Sequence, residues 1–374
     1  MAGLYLHVPF RRAPHTYDES FAVDVETADV DRFVDALRRE LRLYVGEYAT
    51  EAPLRSVYVG GGRPSLLSRE QIRSLLAALN DTADLSAVEE VTIEVNPADA
   101  REEYLAALRQ MGVDRVSLAA LSFFPADLRA VDAPHSAEQV TRAIRSLRTA
   151  GFQKVSVDLL FGWPDQTQAQ WAAALDRAVE LNLPHVTLLE AAADAGPVAS
   201  DNALAHRLEH AMSRLPSEGY TQYELTHFAR SGARSVHQVH YYAHDNQLGL
   251  GPSAESFWWG RRGRALARRW ANVSDLDRYV QLLRDRYAPV AFRQTLDRTG
   301  LATEYVLLRL RTDDGLPLDH LEARYGVDLA AAEGALLDRL AEEGLATLEN
   351  GHLRLTNRGR LVADPITEKL TGSF

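Results

Sequence analysis

Cysteine is absent from all 374 residues of this chain. No disulfide bond is therefore possible, and no side chain can supply the thiolates that hold iron–sulfur clusters. A chain without cysteine fits the reducing interior of a cell, so we expect a cytoplasmic protein.

Long apolar stretches and net positive charge are also missing. The chain has no apolar run of about eighteen residues or more, and residues 1–10 lack the basic and apolar regions of a signal peptide. We therefore expect no transmembrane segment, while peripheral attachment to a membrane stays open. A formal net charge of −11 disfavours general binding to nucleic-acid phosphates.

Short apolar runs alternate with helical patterns through the first half of the chain, which is typical of an α/β fold with a parallel sheet. We predict strands at 4–8, 56–59, 90–94, 115–118, 154–160 and 185–189. Helices are predicted at 30–48, 69–79, 101–111, 137–150, 168–181 and 201–215. Six such β/α units predict a partial TIM-like barrel, whose functional groups lie at the carboxyl ends of the strands.

The stretch 4–21, LYLHVPFRRAPHTYDESF, follows the first predicted strand into a polar loop. It resembles the cluster loop of radical-SAM enzymes, in the branch of oxygen-independent coproporphyrinogen III oxidases and HemW-type haem chaperones. That loop reads Pro-Phe-Cys-x-x-x-Cys-x-Tyr-Cys, and its thiolates hold a four-iron, four-sulfur cluster. Here Pro9, Phe10 and Tyr17 match. The three cysteine positions are occupied by Arg11, His15 and Asp18.

These three replacements predict that no four-iron cluster forms. Arginine is always protonated and offers no lone pair to a metal. His15 and Asp18, with or without His7, are candidate ligands of a mononuclear metal, and this alternative stays open. The resemblance therefore indicates a degenerate member of the family that lacks its cluster chemistry.

Further motifs resemble the family's pocket for S-adenosylmethionine. Gly60, Gly61 and Gly62 match its Gly-Gly-Gly turn, Glu94 matches its strand-end carboxylate, and Asp158 keeps its Asp-Leu-x-x-Gly frame. The resemblance implies a remnant cofactor pocket at these residues. From the residues alone, a tight turn and a charge paired at a strand end explain the same features.

Three pocket positions depart from the family pattern. Arg63 replaces threonine, Leu121 replaces glutamine and Ala133 replaces arginine, whereas the scaffold glycines and prolines match. Random decay would also have removed packing residues. We therefore interpret the chain as one that retains the family's fold but has lost its radical-SAM chemistry. Binding of S-adenosylmethionine is accordingly regarded as doubtful.

Residues 219–279 resemble the linker and haem-associated region of the chaperone branch. His237, in His-Gln-Val-His-Tyr-Tyr, stands where that branch has a histidine implicated in haem binding, so the resemblance implies that His237 ligates haem. The alternative is that His237 and His240 are satisfied polar residues at a strand–loop edge. A basic cluster follows, which is suited to haem propionates or is simply solvated; it comprises Arg261, Arg262, Arg264, Arg268 and Arg269.

The chain beyond residue 298 reads as a separate unit. Helical patterns at 303–311, 318–325 and 329–343 precede short strands at 346–349 and 352–355, and Asn350-Gly351 between them predicts a hairpin. This order resembles a winged helix, but acidic residues dominate the would-be recognition helix, which disfavours DNA. We predict domains at 1–218, 219–298 and 299–374.

The resemblance implies a HemW-like protein that binds or traffics haem or porphyrin, with a haem-accepting protein as the expected partner. Two alternatives stay open. One is an oxygen-independent coproporphyrinogen III oxidase-like oxidoreductase of porphyrin metabolism, and the other is a scaffold that binds partners but no ligand.

Overall fold

The computed structural model describes residues 1–12, 21–191, 199–260, 266–372 and 374. Its strands, numbered in chain order, are β1 (Ala2–Val8), β2 (Phe10–Arg11), β3 (Val23–Asp24), β4 (Leu54–Gly61), β5 (Glu90–Val95), β6 (Arg115–Leu121), β7 (Lys154–Phe161), β8 (His185–Glu190), β9 (Thr221–Glu224), β10 (His227–Ala229), β11 (Asn246–Leu250), β12 (Glu255–Trp259), β13 (Ala267–Asn272), β14 (Val290–Leu296), β15 (Leu316–Pro317), β16 (Ala346–Glu349) and β17 (His352–Leu355).

The helices separate these strands along the chain. They are α1 (Val30–Glu51), α2 (Arg69–Asn80), α3 (Glu102–Gln110), α4 (Pro125–Ala130), α5 (Ala137–Thr149), α6 (Gln168–Glu180), α7 (Asp201–Arg214), α8 (Val236–Tyr242), α9 (Leu276–Arg284), α10 (Arg298–Leu310), α11 (Leu318–His320), α12 (Leu329–Glu342), α13 (Asn357–Arg360) and α14 (Ala363–Thr371). A π-helical turn, Leu321–Tyr325, continues α11.

Six parallel strands form the partial barrel, in the order β1-β4-β5-β6-β7-β8. Nearly every residue of β1, β6 and β7 is buried, because a parallel sheet is covered on both faces. The predicted fold class is confirmed, and each of the six predicted strands and six predicted helices is present.

Capping boxes explain why several barrel helices begin where they do. The side chains of Ser68, Ser136 and Thr167 each accept a hydrogen bond from the backbone N–H three residues later. The side chain of the glutamine at that later position accepts a hydrogen bond from the backbone N–H of the capping residue. Such a pair satisfies two backbone donors that a helix start leaves unpaired.

Residues 219–298 extend the same sheet on both sides. Strands β10 and β9 add to β8, while β11 pairs in parallel with β1 and continues into the antiparallel β12, β13 and β14. The predicted boundary at 218/219 therefore falls within one continuous sheet. One interpretation was wrong: His237 and His240 lie on helix α8, not at a strand–loop edge.

The C-terminal region has its own three-stranded sheet, in the order β15-β17-β16, and an apolar core that also takes in Leu225, Phe257, Ala267 and Leu296. Asn350 and Gly351 have φ of 51° and 75°, as a tight hairpin between β16 and β17 requires. The predicted hairpin is confirmed at its predicted strands. Within the described residues, no helix is long and apolar enough to cross a membrane.

Candidate functional site

The former cluster loop begins at the carboxyl end of β1. Arg11 lies in the short strand β2, which pairs in parallel with β3, and its side chain is partly exposed. His15 and Asp18 lie outside the described residues, so the mononuclear metal alternative stays a prediction. A four-iron cluster does not fit a chain without a thiolate.

The glycine turn at the end of β4 is packed against the chain itself. A side-chain carbon on Gly60 would lie 2.9 Å from Glu94 Oε1 and 3.0 Å from the Tyr5 ring. A carbon on Gly62 would lie 2.5 Å from the Phe10 carbonyl oxygen, and Gly61 has φ of +115°. The glycines are thus required for close packing here, whether or not they also contact a ligand.

Arg63, at the position of the family's threonine, is held in a buried ion pair. Its Nε and Nη2 donate to the two carboxylate oxygens of Asp99 at 2.6 and 2.8 Å. Ser65 Oγ also donates to Asp99, at 2.7 Å. The Arg63 side chain is only 6% exposed; Asp99 neutralises its charge, while its bulk stays beside the cavity.

Leu121 and Ala133, the other two departures, now meet in one apolar cluster. We call it the carboxyl-end apolar cluster; it consists of Leu121, Leu128, Val131, Ala137, Leu160, Trp163 and Ala191, with Ala133 and Leu189 packed against it. Leu121 has φ of 61°, a conformation that costs a leucine about 1–2 kcal/mol. Packing in the cluster offsets this strain where the family has polar groups.

A cavity of about 360 Å³ lies inside the barrel below this cluster. Glu94 and Asp158 both line it. Tyr58 Oη donates to Glu94 Oε1 at 2.8 Å, and Ser117 Oγ lies 3.1 Å from both oxygens of Asp158. Burial raises the pKa of Asp158 to about 6, against the opposing effect of its hydroxyl partners. Glu94 and Asp158, two of the residues predicted for the remnant pocket, therefore line the same cavity.

The lower part of this cavity contains polar residues that sequence reasoning missed. His185 Nε2 lies 2.8 Å from Tyr223 Oη, while its Nδ1 is buried without a hydrogen-bond partner among the described residues. Burial lowers the pKa of His185 well below its usual value, so the ring is neutral. One signal was available: Ser117, Ser156 and Thr187 are polar residues within otherwise apolar strands, as cavity-lining positions often are.

The amino-terminal end of the barrel, which we call the floor, is closed by α8. Arg115 and Glu90 form an ion pair at 3.0 Å with side chains 1% and 0% exposed. Arg115 also donates to the carbonyl oxygens of Ala233 and Arg234, and Glu90 accepts the backbone N–H of Val236. Charged partners on two strands, β5 and β6, thus hold the start of α8 in place.

His237 lies on this floor, at the opposite end of the barrel from Arg11. Its Nδ1 is 3.0 Å from Ser56 Oγ, and its Nε2 accepts from Gln247 at 2.8 Å. Its ring packs against that of Tyr58 at a tilt of 32°, with the ring centroids 5.0 Å apart. Burial lowers the pKa of His237 to about 3, so the imidazole is neutral. Neutral imidazole is the form that ligates haem iron, but both nitrogens are engaged.

The predicted basic cluster divides at β13. Arg269 donates to Glu304 on the side of the C-terminal region, at 2.9 Å. Arg268 points to the opposite face, where it opposes the pKa increase that burial gives Tyr48. The remaining arginines, Arg261, Arg262 and Arg264, lie outside the described residues. Among the described residues there is also no group of three or more histidines and carboxylates arranged to hold a metal ion.

Two sequence models match this chain. The model of the radical SAM superfamily matches residues 25–178, and the model of the HemN C-terminal domain matches residues 296–362. A solved structure of coproporphyrinogen III oxidase (HemN) from Escherichia coli, a radical SAM enzyme, superposes with a TM-score of 0.83 at 23% identity, covering 100% of this chain and 90% of that one. The likeness defines the class: a radical-SAM-type fold with a HemN-type C-terminal domain.

Relatives narrow the class to a family. The heme chaperone HemW of Mycobacterium tuberculosis H37Rv is 33% identical over 99% of this chain and 95% of the relative. HemW of Escherichia coli K12 is 26% identical over 98% and 97%, and the mitochondrial radical S-adenosyl methionine domain-containing protein 1 of Bos taurus is 28% identical over 98% and 86%. The chain belongs to the HemW family of the radical SAM superfamily.

Proposed function

We propose that this chain binds and traffics haem or porphyrin as a HemW-like protein that has lost the iron–sulfur cluster and radical chemistry. The observation that carries the proposal is the contrast between an intact barrel and a chemically changed cofactor end. The strands and the glycine turn keep the family arrangement, whereas the chain has no thiolate.

The carboxyl-end apolar cluster supports the loss of S-adenosylmethionine binding. Leu121 offers no amide and Ala133 no guanidinium, and each lost hydrogen bond to a charged cofactor group costs about 1.5–3 kcal/mol. Arg63 adds bulk beside the cavity but no free charge, because Asp99 neutralises it. The obstacle to the cofactor is therefore lost recognition and lost space, not repulsion.

The haem part of the proposal draws on the relatives, whose printed name is heme chaperone. His237 is the ligand that we propose, through its Nε2 atom. Coordination there requires Gln247 to release that nitrogen and the start of α8 to move aside. A haem-accepting protein as partner and a cytoplasmic location, with or without peripheral membrane contact, belong to the same proposal.

Absorbance titration of the purified chain with haem tests the proposal. We expect a saturable Soret shift at one haem per chain. An absorbance change that rises linearly with haem and does not saturate would contradict haem binding. It would favour the hypothesis of a scaffold that binds partners but no ligand.

Anaerobic reconstitution with iron and sulfide addresses the oxidoreductase alternative. We expect no stoichiometric iron or sulfide on the protein. About four iron and four sulfide per chain, with conversion of coproporphyrinogen III, would assign the chain to the enzyme class.

A further inference from the structure

The two edges of the twelve-stranded sheet differ in how far other parts of the chain cover them. At the β9 edge, the Asp313 backbone N–H donates to the Tyr223 carbonyl oxygen at 3.2 Å, and Glu224 forms a bridge with Thr312. Arg360 adds a side-chain bond to Gln222. The C-terminal region thus covers this edge, which is how proteins commonly prevent unwanted strand pairing.

Strand β14 is the opposite edge, and among the described residues no strand or helix covers it. Five consecutive residues, 291–295, are exposed, so neither face of the strand is buried there. Its pairing with β13 is regular except for one shift at Ala271/Asn272. It contains no proline or lysine, two residues that usually protect an edge.

The two faces of β14 differ in chemistry. Arg293 stands opposite Trp270, on the face where α1 packs through Tyr48, whose ring centroid lies 5.5 Å from that of Trp270. Phe292 is 45% exposed on the other face. A strand added to this edge would therefore meet arginine on one face and an aromatic ring on the other.

The arginines beside this edge form no direct ion pair within the described part of the chain. Neither Arg268 nor Arg293 has a carboxylate or hydrogen-bond partner there, although Glu47 and Glu51 of α1 act on Tyr48 together with these two arginines. Residues 266–298, all of them described, contain seven arginines and four aspartates and no lysine or glutamate, a formal charge of +3 in a chain of −11. The exposed edge therefore lies in a net basic stretch of an acidic protein.

We propose that β14 is a docking edge for an extended segment of another protein that alternates acidic and apolar residues. Its backbone would continue the sheet, its carboxylates would pair with Arg293 and Arg268, and its apolar side chains would pack beside Phe292. A second copy fits less well, because it would bring an equally basic edge against this one. Lipid headgroups and nucleic acid supply anions but not the alternating backbone donors and acceptors of a strand.

The test uses the full chain and two short fluorescent peptides, one alternating glutamate with valine and one alternating lysine with valine. We expect fluorescence anisotropy to show saturable, salt-sensitive binding of the glutamate peptide only. Arg293→Glu should weaken that binding at least about tenfold and create binding of the lysine peptide. Arg177→Glu, at an exposed arginine of α6, is the matched control and should change neither.

Backbone pairing is tested with two proline variants, Gln294→Pro and Thr295→Pro. Adjacent residues of a strand point their N–H groups to opposite sides, so one of the two removes an outward donor and the other a bond to β13. The variant that lacks only the outward donor should keep the native melting temperature but no longer bind the glutamate peptide. Equal binding of both peptides, or binding that survives both prolines, would overturn the proposal.

The competing occupants give distinct results. A dimer by light scattering that Arg293→Glu or a proline variant disrupts would assign the edge to a second copy. Sedimentation with phosphatidylglycerol vesicles that depends on Arg293, without peptide binding, would assign it to a membrane surface. Either outcome would replace the proposed partner.

Discussion

The two ends of the barrel differ in what holds them together. At the carboxyl end, apolar side chains occupy two of the positions where the family has polar groups, and the charge of Arg63 is neutralised by Asp99. At the floor, a buried charged network ties β5, β6 and β7 to α8 through Glu90, Arg115 and Lys154. Polar contacts thus stabilise the fold at the floor, whereas the carboxyl end has fewer of the polar groups that a cofactor would need.

The largest predicted effect concerns restoring the carboxyl end. The triple variant Arg11→Cys, His15→Cys and Asp18→Cys should not form 5′-deoxyadenosine after reconstitution and reduction, because the pocket is still altered. Adding Leu121→Gln and Ala133→Arg should improve cofactor binding by about 3–6 kcal/mol. Arg63 is left in place because its removal would leave Asp99 unpaired.

Activity in that experiment is followed by chromatography of the nucleoside product. The triple variant with serine in place of cysteine is the matched control. Multiple turnovers by the cysteine variant alone would mean that the pocket is intact and that only the ligands were lost.

The floor should respond to the loss of one charge. Arg115→Met leaves Glu90 buried with only the partly exposed Lys154 as a cationic partner, and breaking such a pair costs about 3–5 kcal/mol. Arg177→Met, at an exposed pair with Glu180, should cost less than about 1 kcal/mol. Urea denaturation followed by circular dichroism compares them. Equal losses in the two variants would contradict the structural role of the floor.

Asp158 should make stability depend on pH. Burial raises its pKa from 3.8 to about 6, so its contribution is fully present below about pH 4 and is lost as the pH rises through 6. A shift of this size corresponds to about 2–3 kcal/mol. Asp158→Asn should therefore gain stability relative to the native chain between pH 4 and 7, measured by thermal unfolding. Asp338→Asn, at an exposed carboxylate, should show no such gain.

The smallest predicted effect is on haem affinity. His237→Ala should weaken binding at least about tenfold, or roughly 1.4 kcal/mol, whereas Gln247→Leu should strengthen it by freeing Nε2. Both are read from Soret titrations, with His240→Ala as the control. Unchanged affinity in His237→Ala would move the ligand to another residue.

Local patterns predicted the repeating part of the fold well. The strand predicted at 154–160 is β7, Lys154–Phe161, and Asn350-Gly351 forms the expected hairpin. Apolar runs, caps and turn residues are encoded within a few positions of each element, so a single sequence reveals them.

Contacts between distant segments were not predictable in this way. Strand β11 pairs with β1 in the register Ala2↔Asn246, and nothing near either segment specifies its partner. The same holds for Asp99 as the partner of Arg63 and for α8 at the floor. Sequence reasoning therefore missed what neutralises Arg63 and where His237 lies, and its assignment of the altered pocket positions stays a prediction.

Calorimetric titration of the native chain with S-adenosylmethionine tests the central claim, that the carboxyl end keeps the fold but no longer recognises the cofactor. The account predicts no saturable heat for the native chain, and one-site binding once Leu121→Gln and Ala133→Arg are introduced. Saturable one-site binding to the native chain would contradict it.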